Sequence, residues 1–587
     1  MGVVQKSKKW GDSMNQSNET RKIAYFSMEI ALESTLPTYS GGLGVLAGDT
    51  IKSAADLRVP MVGVSLLYRK GYFYQLIDSE GMQSEQPVRW EIENYLTKLP
   101  EKITVEIEGQ EVVINIWEYR VESSSGFDVP VYFLDSDDPS NSDWHRSLTD
   151  SLYGGDEKYR LCQETILGIG GIRALRALGY NNIRRFHLNE GHASLLTLEL
   201  LKEECAGKSL HQATEEEIER VRKKCVFTTH TPVPAGHDQF PLDLAQSVLG
   251  EMMPSELKNI ICCDDKLNMT YLALNLSNYV NGVAKKHGEI SSLMFSGHKI
   301  EAITNGIYAP FWASGPFKKL FDKYIQNWRE DNFSFRSAIS VPRAEIWEAH
   351  LQAKKQLLDY INQEENFDLD IHAFTIGFAR RSATYKRADL IFRDVERLKQ
   401  IVKDQGPIQI IFSGKSHPKD AQGKALIQKI YEAKKMLEGD MRIIYLSNYN
   451  VHIAYLMVAG VDIWLNNPRA PMEASGTSGM KAALNGVPSF SVLDGWWIEG
   501  CLEGMTGWAI GNHHEEAKFN LSPEEEQAVD ESDAASLYDK LENKILPLFY
   551  QRPDEYRTIM RNSIALNGAF FTTQRMVQQY VVNAYYR

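Results

Sequence analysis

HAFTIGFA, at residues 372–379, opens a series of apolar, β-branched runs that decides the fold of the second half of the chain. The series continues with IQIIFSGK at 408–415, MRIIYLSN at 441–448, and residues 461–467 and 488–494. Longer stretches with helical spacing, such as 343–361, separate the runs. Buried strands that alternate with helices are typical of a parallel sheet covered on both faces. We therefore expect a doubly wound α/β domain here.

The first half of the chain repeats the pattern, and 587 residues are too many for one ordinary core. Its runs are residues 22–28, 61–68, 129–134, 184–189 and 225–230, with a helical stretch at 163–178. Asn305-Gly306, Pro310 and Pro316 interrupt the pattern near residues 305–312. We therefore expect two doubly wound, Rossmann-like domains facing each other across a cleft. The expected segments are a flexible tail at 1–21, domains at 22–304 and 305–560, and a C-terminal helix at 561–587 that packs back on the first domain.

The composition argues against several classes of function. A formal net charge of −13 disfavours nucleic acids and anionic membranes as partners, because both repel an acidic surface. The six cysteines have no paired spacing, which indicates a reducing compartment. There is no signal-peptide core and no run of about 18 apolar residues, so we expect a cytoplasmic protein. No metal-binding motif is recognisable. The acidic residues 515–533 are expected to form a solvated surface excursion.

An acidic protein that binds an anion needs a local cluster of positive charge, and RRSATYKR at residues 380–387 supplies one directly after the first run. Its cations are Arg380, Arg381, Lys386 and Arg387. If this segment is helical, Arg381 and Tyr385 share a face. Arginine offers a planar fork to a phosphate, and lysine offers a compact charge. A solvated basic face is the alternative interpretation of such a segment.

EASGTSGMK, at residues 473–481, follows the run 461–467 and ends on Lys481. Small residues and glycines ahead of a helix expose backbone N–H groups to an anion. We expect Lys481 to open a helix at 481–484, where the positive helix end lowers its pKa and favours the neutral amine that forms imines. A turn that carries a surface lysine is the alternative.

SGGLG, at residues 40–44, is a second glycine-rich segment. GLGVLA at 42–47 fits a dinucleotide-binding pattern, but it begins about a dozen residues beyond the preceding run instead of directly after it. We interpret the segment as a backbone nest whose N–H groups approach a phosphate. His230 ends the run 225–230 and is either a sugar-binding side chain or a core histidine.

Together these segments resemble the α-glucan phosphorylases, the family of the glycogen, starch and maltodextrin phosphorylases, and in particular their short bacterial branch. The resemblance runs from residue 22 to 578 and is strongest at 448–500. EASGTSGMK is similar to the family's pyridoxal phosphate segment, and Tyr385-Lys386-Arg387 to its substrate-phosphate segment. The resemblance implies the fold called GT-B, in which two Rossmann-like domains face each other as in many glycosyltransferases.

The resemblance also implies a role for each matched residue. Lys481 would carry pyridoxal 5'-phosphate as a Schiff base, and the other implied cofactor contacts are Thr477, Ser478, Arg380, Tyr449, Gly42 and Leu43. Arg381 and Lys386 would bind the substrate phosphate, and His230 would contact the glucosyl unit at the cleaved bond. The other implied substrate contacts are Glu473, Ser475, Gly476, Asn305, Tyr385 and Gly44. Arg380 stands where the family often has a lysine, which keeps the charge but changes the contact.

The implied activity is phosphorolysis with retention of configuration. Inorganic phosphate would release the non-reducing terminal glucose of an α-1,4-glucan or maltooligosaccharide as α-glucose-1-phosphate. The cofactor's phosphate would be the acid/base partner of the substrate phosphate, and the pyridoxal ring would serve as an anchor. The family also implies a homodimer. The sequence does not show the long N-terminal extension of the animal enzymes, so we expect no allosteric control by AMP or phosphorylation.

Two alternatives remain open. A sugar-nucleotide-dependent glucosyltransferase would share the two domains and the glycine loop, but many retaining members have an acidic residue eight positions after the first glutamate. Eight positions after Glu473 this chain has Lys481. A catalytically silent glucan-binding protein would need neither the cationic segment nor the lysine.

Overall fold

The computed structural model of the protein describes residues 20–232, 237–254, 260, 262, 263, 265–365, 369–511 and 521–587. Two parallel sheets form its framework, one from each half of the chain, and helices alternate with their strands. The prediction of an α/β protein built on parallel sheets is therefore confirmed. In the part of the chain that the structure describes, no helix combines the length and the apolar composition of a membrane-spanning segment.

The first sheet has nine strands. In spatial order they are Glu301–Ala302, Tyr279–Gly282, Cys225–Thr228, Arg185–Asn189, Ile23–Ser27, Met61–Leu66, Asp128–Asp135, Gln110–Glu122 and Thr97–Ile107. The pairing is parallel as far as Asp128–Asp135 and antiparallel for the last two strands. Each run predicted as a strand in the first half overlaps one of the parallel strands. Ile23–Ser27 is buried along its whole length, which is why its sequence is continuously apolar.

The second sheet has six strands, all parallel. In spatial order they are Arg442–Leu446, Ile408–Ser413, Phe374–Ala379, Ile463–Asn466, Ser489–Val492 and Gly507–Ile510. The five predicted runs account for five of these strands, each shorter than its run by one or two residues at one end or at both. The edge strand Gly507–Ile510 is too short to stand out in the sequence.

Helices connect the strands. In the first half they are Gly42–Asp56, Glu157–Thr165, Gly171–Ala177, Leu196–Glu204, Glu215–Arg222, Leu242–Leu249, Met269–Asn275 and Lys285–Met294. In the second half they include Gly315–Tyr324, Arg343–Glu365, Val395–Gln405, Ala421–Met436, Val451–Gly460, Thr477–Leu484, Pro523–Lys540, Leu546–Gln551, Pro553–Asn562 and Thr573–Tyr580. A π-helical turn, Ile166–Gly170, divides the stretch predicted at 163–178. A Cβ at Gly168 would lie 2.6 Å from the Leu196 backbone nitrogen, so this glycine permits close packing of helices.

The antiparallel strands Thr97–Ile107 and Gln110–Glu122 have no counterpart in the sequence prediction. Their signal is the alternation of apolar and polar residues in ITVEI and VVINI, on either side of a two-residue turn. Glu108 and Gly109 form that turn with φ of 55° and 70°, which suits a tight hairpin. A search for buried parallel strands passes over this pattern, because one face of each strand is partly exposed.

The end of the chain packs on the first sheet. The hydroxyl groups of Ser53 and Thr573 lie 2.6 Å apart, which ties Gly42–Asp56 to Thr573–Tyr580. Near the C-terminus, the Tyr585 hydroxyl group lies 2.7 Å from Nδ1 of His187, a buried residue of the central strands. The last helix therefore covers one face of the first sheet, although it follows the second sheet in the sequence.

The carboxyl ends of the parallel strands bring the predicted motifs to the edge of each sheet. Ala379 pairs with Ser413 in the second sheet, and Asn189 pairs with both Ser27 and Thr228 in the first. The residues that follow these strands therefore lie side by side. In open α/β sheets this edge is where ligands bind.

Candidate active site

The carboxyl edges of the two sheets face each other across a cleft. Three hydrogen bonds of 2.6 to 2.9 Å join Gln75 to Asn448. The Lys415 ammonium donates to the Phe73 carbonyl oxygen at 2.8 Å. Gln75 lies in the short strand Tyr74–Ile77 and Phe73 directly precedes it, whereas Lys415 and Asn448 lie in loops that follow strands of the second half. Side chains from both halves can therefore contact one ligand in this cleft.

Lys481 is almost completely buried, with 6% of its surface exposed. It does not open its helix as predicted, because the helix begins earlier, at Thr477–Leu484. The Lys481 ammonium lies 4.0 Å from the centroid of the Trp312 ring, and its electrostatic partner is Asp49. Burial lowers the pKa of Lys481 to about 8, against the opposing effect of Asp49. The predicted direction of the pKa shift is confirmed, but burial causes it, not the helix terminus.

The first turn of helix Thr477–Leu484 offers hydrogen-bond donors to an anion. Gly476 precedes it with φ of 85°, a conformation that glycine adopts without strain. Within the described residues, the amide groups of Thr477, Ser478 and Gly479 have no acceptor, as expected at a helix start. The Ser475 hydroxyl group beside them is buried and finds no hydrogen-bond partner among the residues that the structure describes. These donors lie one helical turn from Lys481.

Residues 380–387, called here the basic segment, do not form the α-helix considered from the sequence. Only Thr384–Lys386 is helical, as a single 3₁₀ turn. Arg381 and Tyr385 nevertheless hydrogen-bond to each other, and the Tyr72 ring lies near the same guanidinium. Arg381 is exposed to the solvent of the cleft, and no described carboxylate forms an ion pair with it. An anion in the cleft can therefore reach this guanidinium.

Glu473 brings two other cations of the basic segment together. Its Oε2 accepts from Nη2 of Arg380 at 2.5 Å and from Nζ of Lys386 at 2.6 Å. Burial opposes the charged form of Glu473, but Arg380 and Lys386 outweigh burial and lower its pKa to about 2. Arg380 also donates to the Asn466 side chain. The sequence predicts these residues at the site but not their pairing.

The fourth cation, Arg387, points away from the cleft and pairs with Asp530 and Asp533. The expectation of a solvated acidic excursion is therefore wrong for these two aspartates, which are 6% and 3% exposed and lie in helix Pro523–Lys540. Residues 515–520 lie outside the described residues. Buried aspartates need a cationic partner, and Arg387 supplies one.

The glycine segment lies at the start of helix Gly42–Asp56. The amide groups of Ser40 and Gly41 donate to one carboxylate oxygen of Glu29, at 2.5 and 3.0 Å. The amide groups of Gly42, Leu43 and Gly44 have no acceptor among the described residues. A Cβ at Gly42 would meet no atom within 4 Å, so that side of the loop is open to a ligand.

His230 lies beside two residues to which the sequence analysis assigns no role. Its Nε2 donates to Oδ1 of Asn189 at 2.6 Å, and its backbone N–H donates to Glu190 at 2.7 Å. Burial lowers the pKa of His230 to about 3, so the ring is neutral at physiological pH. Burial raises the pKa of Glu190 to about 7, although hydrogen bonds from the His230 and Gly191 amides favour its charged form.

Two further predicted residues lie in the same region. The Asn305 carboxamide oxygen is buried and, as far as the structure describes the chain, has no hydrogen-bond partner, whereas the Asn305 backbone carbonyl accepts from Arg575 at 2.9 Å. Tyr449 lies close enough to Arg380 to feel its charge, and burial raises the pKa of this tyrosine. An unpartnered buried oxygen is rare in proteins, which makes Asn305 a candidate ligand contact.

A cavity of about 250 Å³ opens beside the basic segment, and its lining includes Tyr72, Phe73, Ser151, Tyr153 and Pro418. None of these residues belongs to a motif that is recognisable in the sequence. For Tyr72 and Phe73 the available signal is the aromatic density of the segment YRKGYFY, residues 68–74. Aromatic rings in a cleft suit the apolar faces of sugars.

Comparisons with known proteins give one consistent result. The carbohydrate phosphorylase family matches residues 29–125 and 255–582. The maltodextrin phosphorylase of Thermococcus litoralis is 39% identical over 98% of this chain and 71% of its own length. The glycogen phosphorylase of Aquifex aeolicus is 35% identical over 96% of this chain and 86% of its own. The glycogen phosphorylase of Mycobacterium tuberculosis is 36% identical over 96% of this chain and 70% of its own length.

Proposed function

The chain belongs to the carbohydrate phosphorylase family, and from that premise we propose that it is an α-1,4-glucan phosphorylase. It transfers the non-reducing terminal glucose of a glucan or maltooligosaccharide to inorganic phosphate and releases α-glucose-1-phosphate. The observation that carries the proposal is Lys481, a buried amine whose pKa is about 8, one turn from unpaired amides. A carbonyl cofactor that also bears an anion matches both features.

Members of this family generally use pyridoxal phosphate, and the residues of this chain fit it. The Lys481 amine suits the aldehyde, and the first turn at Thr477 and Ser478 suits the phosphate group. Arg380, Tyr449 and the open amides at Gly42 and Leu43 complete the proposed set of contacts. When bound, the cofactor supplies a phosphate group that exchanges a proton with the substrate phosphate.

Arg381 is the proposed anchor of the substrate phosphate, because its guanidinium is exposed to the cleft and has no carboxylate partner. Lys386 adds a second charge from the same segment, shared with Glu473. Two phosphates close together repel each other, and these cations with the helix-start amides offset the repulsion. Tyr385 supports Arg381 by its hydrogen bond.

The sugar-binding residues are proposed from unpaired polar atoms in the cleft. The Ser475 hydroxyl and the Asn305 carboxamide oxygen are buried and have no hydrogen-bond partner within the described part of the chain. His230 donates through Nε2, so its Nδ1 is free to accept from a sugar hydroxyl. Glu473, held ionised with a pKa of about 2, accepts hydrogen bonds and is unsuited to protonate a leaving group. Gly44 and Gly476 are the proposed backbone contacts.

Hydrolysis fits this cleft less well than phosphorolysis. A glycoside hydrolase needs one carboxylic acid to protonate the leaving oxygen and one carboxylate to act as nucleophile or base. Glu473 is ion-paired, and Glu190 accepts hydrogen bonds from the His230 backbone and the Thr231 hydroxyl. Both carboxylates therefore already have structural partners, whereas cations and amides for an anion are free.

We also propose that the two sheets are the domains of a GT-B fold. The first domain would span residues 22–304 and the second 305–560, with 561–587 returning to the first. The first-half strands end at Glu301–Ala302 and those of the second half begin at Phe374–Ala379. Contacts such as Lys415 with Phe73 then cross between domains.

The experiment is an assay of the purified protein, loaded with pyridoxal phosphate, on maltoheptaose and inorganic phosphate. We expect phosphate-dependent release of glucose-1-phosphate in the α configuration, and chain elongation from α-glucose-1-phosphate in the reverse direction. Two control reactions contain either UDP-glucose or ADP-glucose, and a third omits phosphate. Elongation that requires a sugar nucleotide, or release of free glucose without phosphate, would overturn the proposal.

A further inference from the structure

Arg387 is the cation of the basic segment that the phosphate-binding account does not use. Its side chain is only 3% exposed. Nε donates to the Asn467 carbonyl oxygen at 2.9 Å, and Nη2 donates to the Pro468 carbonyl oxygen at 2.8 Å. Nη1 pairs with Asp530 at 2.9 Å, and Nη2 also pairs with Asp533 at 2.7 Å. One guanidinium therefore joins the basic segment to two other parts of the chain.

The acidic partners of Arg387 belong to the helix Pro523–Lys540, which packs beside the second sheet. Asp530 is shared, because Arg469 reaches it at 3.1 Å and Arg393 at 2.7 Å. Asp533 lies one helical turn further on, so both carboxylates project from the same face. The helix therefore presents fixed negative charge to the loops behind the cleft.

The backbone of Arg387 is also held in an uncommon conformation. Its φ is 50°, in the left-handed region, and it follows the 3₁₀ turn Thr384–Lys386 directly. The Asn467 carboxamide donates to the Arg387 carbonyl oxygen at 2.7 Å. In the opposite direction, Nε of Arg387 donates to the Asn467 carbonyl oxygen. A non-glycine residue stays in this region only when surrounding contacts hold it there. The contacts of Arg387 thus fix the turn that carries Lys386.

We propose that Arg387, Asp530 and Asp533 form a positioning unit for the substrate phosphate, and this inference rests on the function proposed above. The unit joins the loop that carries Lys386 to the loop that begins at Asn467. Glu473, the partner of Lys386 at 2.6 Å, lies at the end of that second loop. Among the described residues, the Arg387 side chain forms no hydrogen bond or ion pair with the side chain of Lys386 or Glu473, so it acts on them through the two loops. It is a positioning residue.

Simple packing is a weaker explanation for these contacts. Burying an arginine with two aspartates stabilises a fold no better than apolar side chains of similar volume. The planar fork of arginine, in contrast, fixes several directions at once and reaches carbonyls and carboxylates together. Positioning of this kind matters in catalysis, because a displacement of about 1 Å costs up to about a hundredfold in rate.

The test compares kinetic constants of the holoenzyme and its Asp533→Asn variant. This substitution keeps the volume of the side chain and removes one charge from the pair with Arg387. We expect the KM for inorganic phosphate, and for glucose-1-phosphate in the reverse direction, to rise roughly tenfold. The KM for maltoheptaose should stay within about twofold, because proposed glucan contacts such as His230 and Asn305 lie outside the two loops that Arg387 joins. Bound pyridoxal phosphate, read from its absorbance, should be unchanged.

Two further variants separate positioning from stability. Asp533→Glu restores the charge and should bring the KM for phosphate most of the way back to the wild-type value. Arg387→Lys keeps a positive charge, but one ammonium cannot reach all four acceptors that the guanidinium binds. Its kinetic constants should therefore resemble those of Asp533→Asn. It takes the place of Asp533→Asn in the test if that variant does not fold. Asp539→Asn is the matched control, since it makes the same change at an exposed position of the same helix. It should leave the KM for phosphate and the KM for maltoheptaose unchanged.

Each outcome decides the proposal. A lower melting temperature with an unchanged phosphate KM would overturn it and leave a structural ion pair. Equal increases in the KM of phosphate and of glucan would also overturn it. If the wild type shows no phosphate-dependent activity, the proposed function fails first. If the wild type is active and Asp533→Asn matches it, only the positioning unit fails.

Discussion

At the scale of single residues, Lys481 gains its chemistry from the side chains around it. The Trp312 ring excludes water on one side, and Asp49 supplies the negative charge nearby. With a pKa of about 8, Lys481 is neutral in about a fifth of the molecules at pH 7.4. An ordinary lysine is neutral in about a thousandth of them. The neutral amine is the reactive form toward an aldehyde.

We predict that Lys481 is the residue that binds pyridoxal phosphate covalently. Borohydride reduction of the loaded protein should give an intact mass increased by one cofactor, and the adduct should map to the peptide that contains Lys481. Lys481→Ala should abolish the adduct and the cofactor absorbance together. The reduced wild type should keep measurable activity if the ring is only an anchor, because the phosphate groups then remain in place.

Lys52 provides the internal control for this prediction. It is a half-buried lysine beside Asp49, and burial lowers its pKa. Lys52→Ala should leave the adduct on Lys481 unchanged. An adduct on Lys52, or on any other lysine, would contradict the prediction.

The residues of the site were predictable from the sequence to different degrees. EASGTSGMK and RRSATYKR are local motifs, so Lys481 and Arg381 stand out without knowledge of the fold. The pairing of Glu473 with Arg380 joins residues 93 positions apart, and no local pattern encodes it. The direction of Arg387 likewise depends on Asp533, 146 positions away. Contacts of that range become visible only in the folded chain.

At the scale of secondary structure, the start of helix Gly42–Asp56 is the element whose role rests on backbone alone. Its first amides have no acceptor among the described residues, and a helix start attracts anions. Glycines 42 and 44 are close in sequence but have different surroundings. A Cβ at Gly42 meets open space, whereas one at Gly44 lies 2.7 Å from Glu29 and from Tyr39.

This difference predicts opposite effects of two alanine substitutions. Gly42→Ala should fold with unchanged stability or gain up to about 1 kcal/mol, because alanine favours the helix. Its methyl group should nevertheless weaken binding of phosphate or of pyridoxal phosphate, because it occupies the open side of the loop. Gly44→Ala should lose about 1–3 kcal/mol of stability through overpacking. Thermal unfolding and initial rates of both variants measure these effects.

The two variants are controls for each other. If Gly42→Ala changes neither the phosphate KM nor the affinity for the cofactor, the loop is an ordinary helix start and not an anion site. If Gly44→Ala is as stable as the wild type, the contact with Glu29 is looser than the geometry indicates.

Among the elements, the buried parallel strands were the predictable ones. Ile408–Ser413 is buried on both faces and mostly apolar, so its sequence IQIIFS is recognisable without context. The hairpin Thr97–Ile107 and Gln110–Glu122 was missed because its alternating pattern describes a half-exposed sheet. Within helix Pro523–Lys540 the expectation of solvated sequence is wrong for Asp530 and Asp533, which are buried and paired with arginine inside an acidic segment. Composition gives the average environment of a segment and not that of a single side chain.

At the scale of the whole molecule, His187 joins the first sheet to the end of the chain. Its Nδ1 lies 2.7 Å from the Tyr585 hydroxyl group, and its Nε2 lies 2.8 Å from the Thr228 hydroxyl group. Burial alone lowers the pKa of His187 to about 3. The contact between the C-terminal segment and the first sheet therefore requires a neutral imidazole.

The prediction is that His187 makes stability depend on pH in one direction. The unfolded chain binds a proton at His187 below a pKa of about 6.5, and the folded chain does so only near 3. Stability from this residue is therefore present above pH 6.5 and is lost as the pH falls toward 3. His187→Gln removes the titration, so the wild type should be the more stable protein at pH 8. The difference in free energy of unfolding between the wild type and His187→Gln should shrink by about 1.4 kcal/mol per pH unit below about pH 6.

Urea unfolding of both proteins between pH 4.5 and 8 measures this change, and Tyr585→Phe is the matched control. That variant removes the hydroxyl partner of His187 but leaves the imidazole in place. Its difference from the wild type should therefore stay nearly constant over the same pH range. A constant difference for His187→Gln as well would mean that His187 binds protons equally in the folded and unfolded chain, and that burial does not keep the imidazole neutral. A difference that widens toward acid would have the wrong sign and would contradict the prediction directly.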